Sequence, residues 1–149
     1  MIITFFGHSN FIANKLLEQK LLNTLDQLVG NSKVDFYLGC YGGFDSLALS
    51  CCSKYKAVHP QAKLIFVTPY LDPQYSKLRS ANEGRIFDEI IYPDIEASPH
   101  KYSISYRNRW MVKNSDVVVT YVTHSYGGAY AAYIHARNIG KTIVDLTQH

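Results

Sequence analysis

The chain has 149 residues, of which 47% are hydrophobic and 18% charged; this excludes a disordered segment and is enough for one buried core. The formal net charge of +3 permits an anionic ligand, but it is too small to announce nucleic acid by itself. The three cysteines, Cys40, Cys51 and Cys52, form no CxxC pair, so no metal site is expected, and the expectation is reduced thiols in a cytoplasmic protein.

Residues 2–6, "IITFF", are β-branched and aromatic and predict a strand broken at Gly7. The short apolar start lacks a basic region, so no signal peptide is expected, and no apolar run reaches membrane-spanning length. From Asn10 to Gly30 the apolar residues Ile12, Leu16, Leu17, Leu21, Leu25 and Leu28 recur at helical intervals. Asn10 reads as the N-cap of that helix and Gly30 as the residue just past its end. A strand over 34–39, a helix over 44–58 and a strand over 62–70 ended by Pro69 follow. The polar stretch 72–87 predicts a loop with a short helix. A short strand over 87–93, a helix over 100–115, a strand over 116–122, a helix from the Gly127-Gly128 pair to Gly140 and a last strand over 141–146 complete the chain.

Strands alternate with helices from end to end, and the strands are continuously apolar. That is the pattern of a parallel sheet covered on both faces. The expected fold is α/β: one domain over 1–149, a three-layer Rossmann-like doubly wound sandwich on a mainly parallel sheet. Ligands of such sheets bind outside the carboxyl ends of the strands. Three stretches fall there: Gly7-His8-Ser9, the run from Gly39 to Gly43, and Ser125-Tyr126-Gly127-Gly128.

A strand-to-helix turn built from glycine lets backbone N–H groups point at an anion, and the helix amino terminus adds partial positive charge. The Gly127-Gly128 turn therefore reads as a phosphate cradle. A tight turn with close helix–strand packing and no ligand is the alternative. Neither glycine turn is a GxGxxG or Walker A motif. His8 is positioned to donate to a phosphate or base, or to be a plain turn residue. Asp45 is a ribose ligand or a complement to the helix dipole. Ser125, next to His124, either meets a phosphate oxygen or caps the helix. Arg107 and Arg109, two apart on one helix, do not share a face. Glu83 and Asp88 are carboxylates best read as solvated surface charge. Cys40, with no base partner in view, reads as a packing residue.

"GCYGGFDSLA" resembles the S-G-x-A-x-G-[IV]-D-x-x-A segment of the SLOG superfamily, matching at Gly39, Gly43, Asp45 and Ala48. That superfamily groups the DNA-processing protein A Rossmann domain, the LOG cytokinin-activating phosphoribohydrolases and small stand-alone YpsA-like proteins. "YRNRWMVKNSDVVVTY" resembles the R-N-x-x-M-V-x-x-S-D segment of the YpsA-like members at Arg107, Asn108, Met111, Val112, Ser115 and Asp116. Gly127-Gly128 stands where the family has its phosphate turn. The resemblance implies a nucleotide or nucleotide-derived ligand; together with the carboxyl-edge positions, the expected ligand residues are Gly7, His8, Gly39, Gly43, Asp45, Arg107, Ser125, Gly127 and Gly128. It selects Arg107 over Arg109 as the site arginine. It also leans toward homo-oligomers, as do the aromatics Tyr102, Tyr106 and Trp110 of one helix. The LOG signature P-G-G-x-G-T-x-x-E is not kept: Ile134 stands at the glutamate position. Asp45 and Arg107 are then the catalytic candidates, and a sensor or carrier is expected ahead of an N-glycosidic hydrolase or deoxyribosyltransferase. Single-stranded nucleic acid is a weaker expectation, and no cofactor is expected.

Overall fold

The structure is a computed structural model that describes residues 1–70, 86–93 and 100–148. Six strands form one sheet: β1 Ile2–Gly7, β2 Asp35–Leu38, β3 Lys63–Val67, β4 Glu89–Ile91, β5 Val117–Tyr121 and β6 Thr142–Asp145. The helices are α1 Lys15–Val29, α2 Gly43–Val58, α3 Ser103–Lys113 and α4 Gly128–Asn138, with a 3-10 turn at His100–Tyr102 leading into α3. The strand order is β4-β3-β2-β1-β5-β6, and every pairing is parallel. The expected α/β sandwich is therefore the fold, and its sheet is wholly parallel.

Strand periodicity sorts the core into two layers. Phe5, Phe36, Leu38, Leu64, Val117 and Val119 face α1 and α2. Their neighbours Phe6, Tyr37, Ile65, Val67 and Val118 face α3 and α4 and meet Met111, Val112, Ala132 and Ala136. A strand between two helical layers has no solvent face, which is why these segments read as unbroken apolar runs.

Two expectations are corrected. The first helix begins at Lys15 rather than after Asn10, because Asn14 is its N-cap: the Asn14 side chain accepts from Leu17 N at 2.8 Å. Ile12 and Leu16, counted toward the buried face, are each 86% exposed; only Leu17, Leu21, Leu25 and Val29 of α1 are buried. The strand after Pro60 stops at Val67, beyond the last β2 pair at Phe66, and the Thr68 hydroxyl turns to donate to Tyr70 O. Most of the polar loop with its short helix, Glu83 included, lies outside the described residues. No helix among the described residues is long and apolar enough to cross a membrane.

β1 lies between β2 and β5, so the connections leave it in both directions. The loops after β1 and β5 must diverge at their carboxyl ends, and a crevice opens between them.

Candidate functional site

A cavity of about 330 Å³ occupies that crevice. Gly7, His8, Gly39, Asp45, Arg107, Gly127 and Gly128 line it, together with Tyr41, Asn108 and Tyr126. Gly43 and Ser125 do not.

Two helices start near it from almost the same backbone. Gly42 precedes α2 at φ 94°, ψ −174°, and Gly127 precedes α4 at φ 90°, ψ 175°. Both conformations favour glycine. What covers the two helix starts is different. At α2, Gly43 N donates to Ser9 O at 2.7 Å and Phe44 N to His8 O at 3.3 Å. A Cβ on Gly43 would stand 2.2 Å from Phe11 O, and one on Gly7 2.2 Å from Phe44 Cγ. The loop after β1 thus fills the α2 amino terminus; Gly43 serves backbone-to-backbone packing, and Gly7 leaves room for the Phe44 side chain.

At α4 there is no side-chain cap. The first intrahelical bond runs from Ala131 N to Gly127 O at 3.0 Å. The N–H groups of Gly128, Ala129 and Tyr130 have no acceptor among the described residues, as geometry requires of an uncapped first turn. Added Cβ atoms would have nothing closer than His124 Cε1 at 4.0 Å from Gly127 and Asn108 Nδ2 at 3.9 Å from Gly128. This start is bare and lines the cavity.

Arg107 is 1% exposed. Its Nη1 donates to Gly39 O at 3.0 Å and to Val67 O at 2.7 Å, and its Nε to Asn108 Oδ1 at 3.0 Å. The guanidinium ties the carboxyl ends of β2 and β3 to α3, so its first role is to hold the cavity wall. Arg109 is exposed.

Asp45 stands beside it: a Cβ on Gly39 would lie 3.2 Å from Asp45 Oδ2 and 3.3 Å from Arg107 Cζ. Glycine at 39 makes room for both the Asp45 carboxylate and the Arg107 guanidinium. Asp45 Oδ2 accepts from Tyr41 N at 2.8 Å. Burial pushes its carboxyl up to about 6, against the Tyr41 N–H and the Arg107 charge, which pull it down. Cys40, at φ 54°, is the one described non-glycine residue in the left-handed region. Burial raises its thiol to about 12, so it is no nucleophile at neutral pH.

His8 does not offer Nε2–H to a ligand. Its Nε2 accepts from Thr123 N at 2.9 Å, which puts the ring proton of the neutral form on Nδ1. Its ring stacks on His124 at 3.5 Å between centroids, and His124 on Tyr126 at 3.9 Å. Burial, and secondarily His124, depress the His8 pKa. The stack joins the β1 loop to the β5 loop and ends at Tyr126, which is 70% exposed.

Asp88 lies away from the cavity, at the amino end of β3, where it accepts from Leu64 N at 2.9 Å and pairs with Lys56 at 2.6 Å. Tyr41, Asn108 and Tyr126 are lining residues that the sequence reading did not select. Asn108 stood inside the Arg107 motif and Tyr126 directly before the glycine pair. Among the described residues no group of three or more His, Cys, Asp and Glu is placed to hold a metal.

Sheet order, crevice and uncapped helix together define a Rossmann-like α/β domain with its cavity at the carboxyl edge. The fold is similar to a solved structure of DNA processing protein A from Helicobacter pylori, described for its single-stranded DNA binding mode, with a TM-score of 0.63 and 18% identity. The match covers 97% of this chain and 64% of that one, so the chain spans less than two thirds of that protein's length. The likeness is one of fold and is consistent with the SLOG resemblance. No family model and no curated protein matches the chain.

Proposed function

We propose that the chain binds a phosphate-bearing, nucleotide-derived small molecule in the β1–β5 cavity, as a sensor or carrier. One observation carries this: the uncapped α4 start, whose free N–H groups at Gly128 and Ala129 line a cavity of about 330 Å³. Bare amides at a helix amino terminus favour an anion, and the volume is at the small end of ligand pockets. Tyr41 and Tyr126, 51% and 70% exposed, offer flat apolar rings at its rim.

N-glycosidic cleavage is a weaker role for this site. Such chemistry needs a carboxylate beside the ribose. Ile134 replaces the family's glutamate, and Asp45 Oδ2 is engaged by Tyr41 N. Self-association through α3 is part of the proposal. Tyr106 of α3 and Tyr102 of the turn before it are 40% and 47% exposed, whereas Trp110 is half-buried and stacked on Tyr37; light scattering at high micromolar concentration that gives a monomer would remove it.

The test is a panel of nucleoside monophosphates and the matching nucleosides, read by thermal shift and by chromatography for released base. The expected result is a rise in Tm with monophosphates, none with nucleosides, and no base release. No shift with any phosphate compound overturns the reading. The second reading, single-stranded DNA, is favoured by the fold likeness to a protein described for that binding. It predicts that an oligothymidylate outcompetes every mononucleotide and that its affinity falls steeply with salt.

A further inference from the structure

A second cavity, of about 210 Å³, lies on the other side of the β5–α4 loop. Thr120, His124, Ser125, Tyr130, Tyr133 and Asp145 line it. Its floor follows from the sheet register. Thr120 and Asp145 are direct partners on the neighbouring parallel strands β5 and β6, so their side chains leave the sheet on the same face. That is the α4 face, since Val118 and Ile143, two residues earlier, pack there.

Two buried polar atoms at this cavity have no partner. Thr120 is 1% exposed, and its Oγ1 has no hydrogen-bond partner among the described residues; the same holds for His124 Nδ1. Buried hydroxyl and ring nitrogen atoms are ordinarily satisfied, and each orphan calls for a guest that can bond it. Asp145 adds an acceptor beside them. Burial raises its pKa, but bonds from Thr147 and Gln148 and the charge of Lys20 outweigh that and hold it below its ordinary value. The carboxylate is therefore charged near neutral pH.

The lining limits the guest. No lysine or arginine among the described residues lines this cavity, so the carboxylate disfavours an anion. The two orphan atoms disfavour an apolar group. A hydroxyl both donates and accepts, so it satisfies Thr120 Oγ1, either tautomer of His124 Nδ1, and the Asp145 carboxylate. Tyr130 and Tyr133 supply ring faces for the carbon skeleton. We propose that this cavity is a separate binding site for a neutral hydroxylated group of sugar-ring size, built on Thr120, His124 and Asp145. His124 also lines the β1–β5 cavity, whereas Thr120 and Asp145 line only this one, so the site is tested at those two residues.

The test is saturation-transfer NMR of the full chain with D-ribose as the probe and inorganic phosphate as control. Ribose is expected to receive transfer in the wild-type protein. Thr120→Val should weaken it about ten-fold, the worth of one or two hydrogen bonds, and Thr120→Ser should restore it. Gly128→Val should leave ribose binding unchanged. No transfer in the wild type means the orphans are met by water alone and overturns the proposal. Transfer that survives Thr120→Val, or is lost in Gly128→Val instead, also overturns it, because the sugar then sits elsewhere. Should Thr120→Val fail to fold, Asp145→Asn reads the same site, and undiminished ribose binding there has the same force.

Discussion

The two glycine pairs of this chain, Gly42-Gly43 and Gly127-Gly128, have nearly superimposable entry dihedrals and opposite fates. The first is filled by the chain's own backbone: Ser9 O and His8 O take the N–H groups of Gly43 and Phe44. The second is open to a cavity and has no cap. A helix amino terminus is an electrostatic resource that either the protein or a ligand uses. Here the protein consumes one and leaves the other. Glycine at 43 serves packing, whereas glycine at 128 keeps side-chain atoms out of a space that nothing in the described protein fills.

The largest expected contrast comes from valine at each second glycine. Gly43→Val drives Cβ against the Phe11 carbonyl, 2.2 Å away, and neither backbone yields easily. A loss of about 3 kcal/mol or more is expected, at or beyond the usual cost of overpacking, seen as a sharply lowered Tm or failure to fold. A Cβ at position 128 meets nothing nearer than Asn108 Nδ2 at 3.9 Å, and its φ is not in the left-handed region. The Tm of Gly128→Val should stay close to wild type while the monophosphate-induced shift disappears. If a folded Gly128→Val protein keeps its nucleotide affinity, the distinction between the two turns has no functional meaning.

Arg107→Ala comes next. It leaves the Gly39 and Val67 carbonyls without their buried donor, at about 1–3 kcal/mol for each unsatisfied group. Denaturant melts should show that loss with no ligand present. Weaker nucleotide binding would follow as the cavity wall loosens, so affinity and stability should fall together, unlike in Gly128→Val.

The smallest effects are on pH dependence, and the two sides of the cavity have opposite signs. The folded pKa of Asp45 is raised from 3.8 to about 6, so the unfolded chain gives up this proton first, and stability falls as pH climbs from about 4 through 6. The folded pKa of His8 is depressed below 6.5, so the unfolded chain takes up that proton first, and stability falls as pH drops below 6.5. Asp45→Asn should flatten the first dependence and His8→Gln the second, measured as Tm against pH. Identical pH profiles for wild type and Asp45→Asn would mean that Asp45 is solvated rather than buried.

Much of the architecture was already written in local patterns. Continuously apolar strands such as "DVVVTY" alternating with helical segments have few solutions other than a parallel sheet between two helical layers, because each strand must be covered on both faces. The carboxyl-edge position of Gly7, Asp45 and Gly128 followed from that topology, whereas Arg107 was singled out by the family resemblance. Local pattern failed where a neighbour in sequence competes for a role. Asn10 and Asn14 are equally good caps on paper, and the start of α1 was settled by the β1 loop folding over the α2 amino terminus.

What the sequence by itself determined is the fold class and the edge of the sheet where a ligand belongs, since periodicity and glycine placement are local properties of the chain. Only the tertiary structure decided which glycine turn is open, that the Arg107 guanidinium holds strand ends, that His8 accepts rather than donates, and that Ser125 turns to a second cavity. Each of these rests on contacts between residues 34 to 115 positions apart, such as Ser9 with Gly43 and His8 with Thr123, or on the side of a loop that a side chain faces. Hydrogen-bond partners at such separations are chosen by packing, and no local motif specifies them.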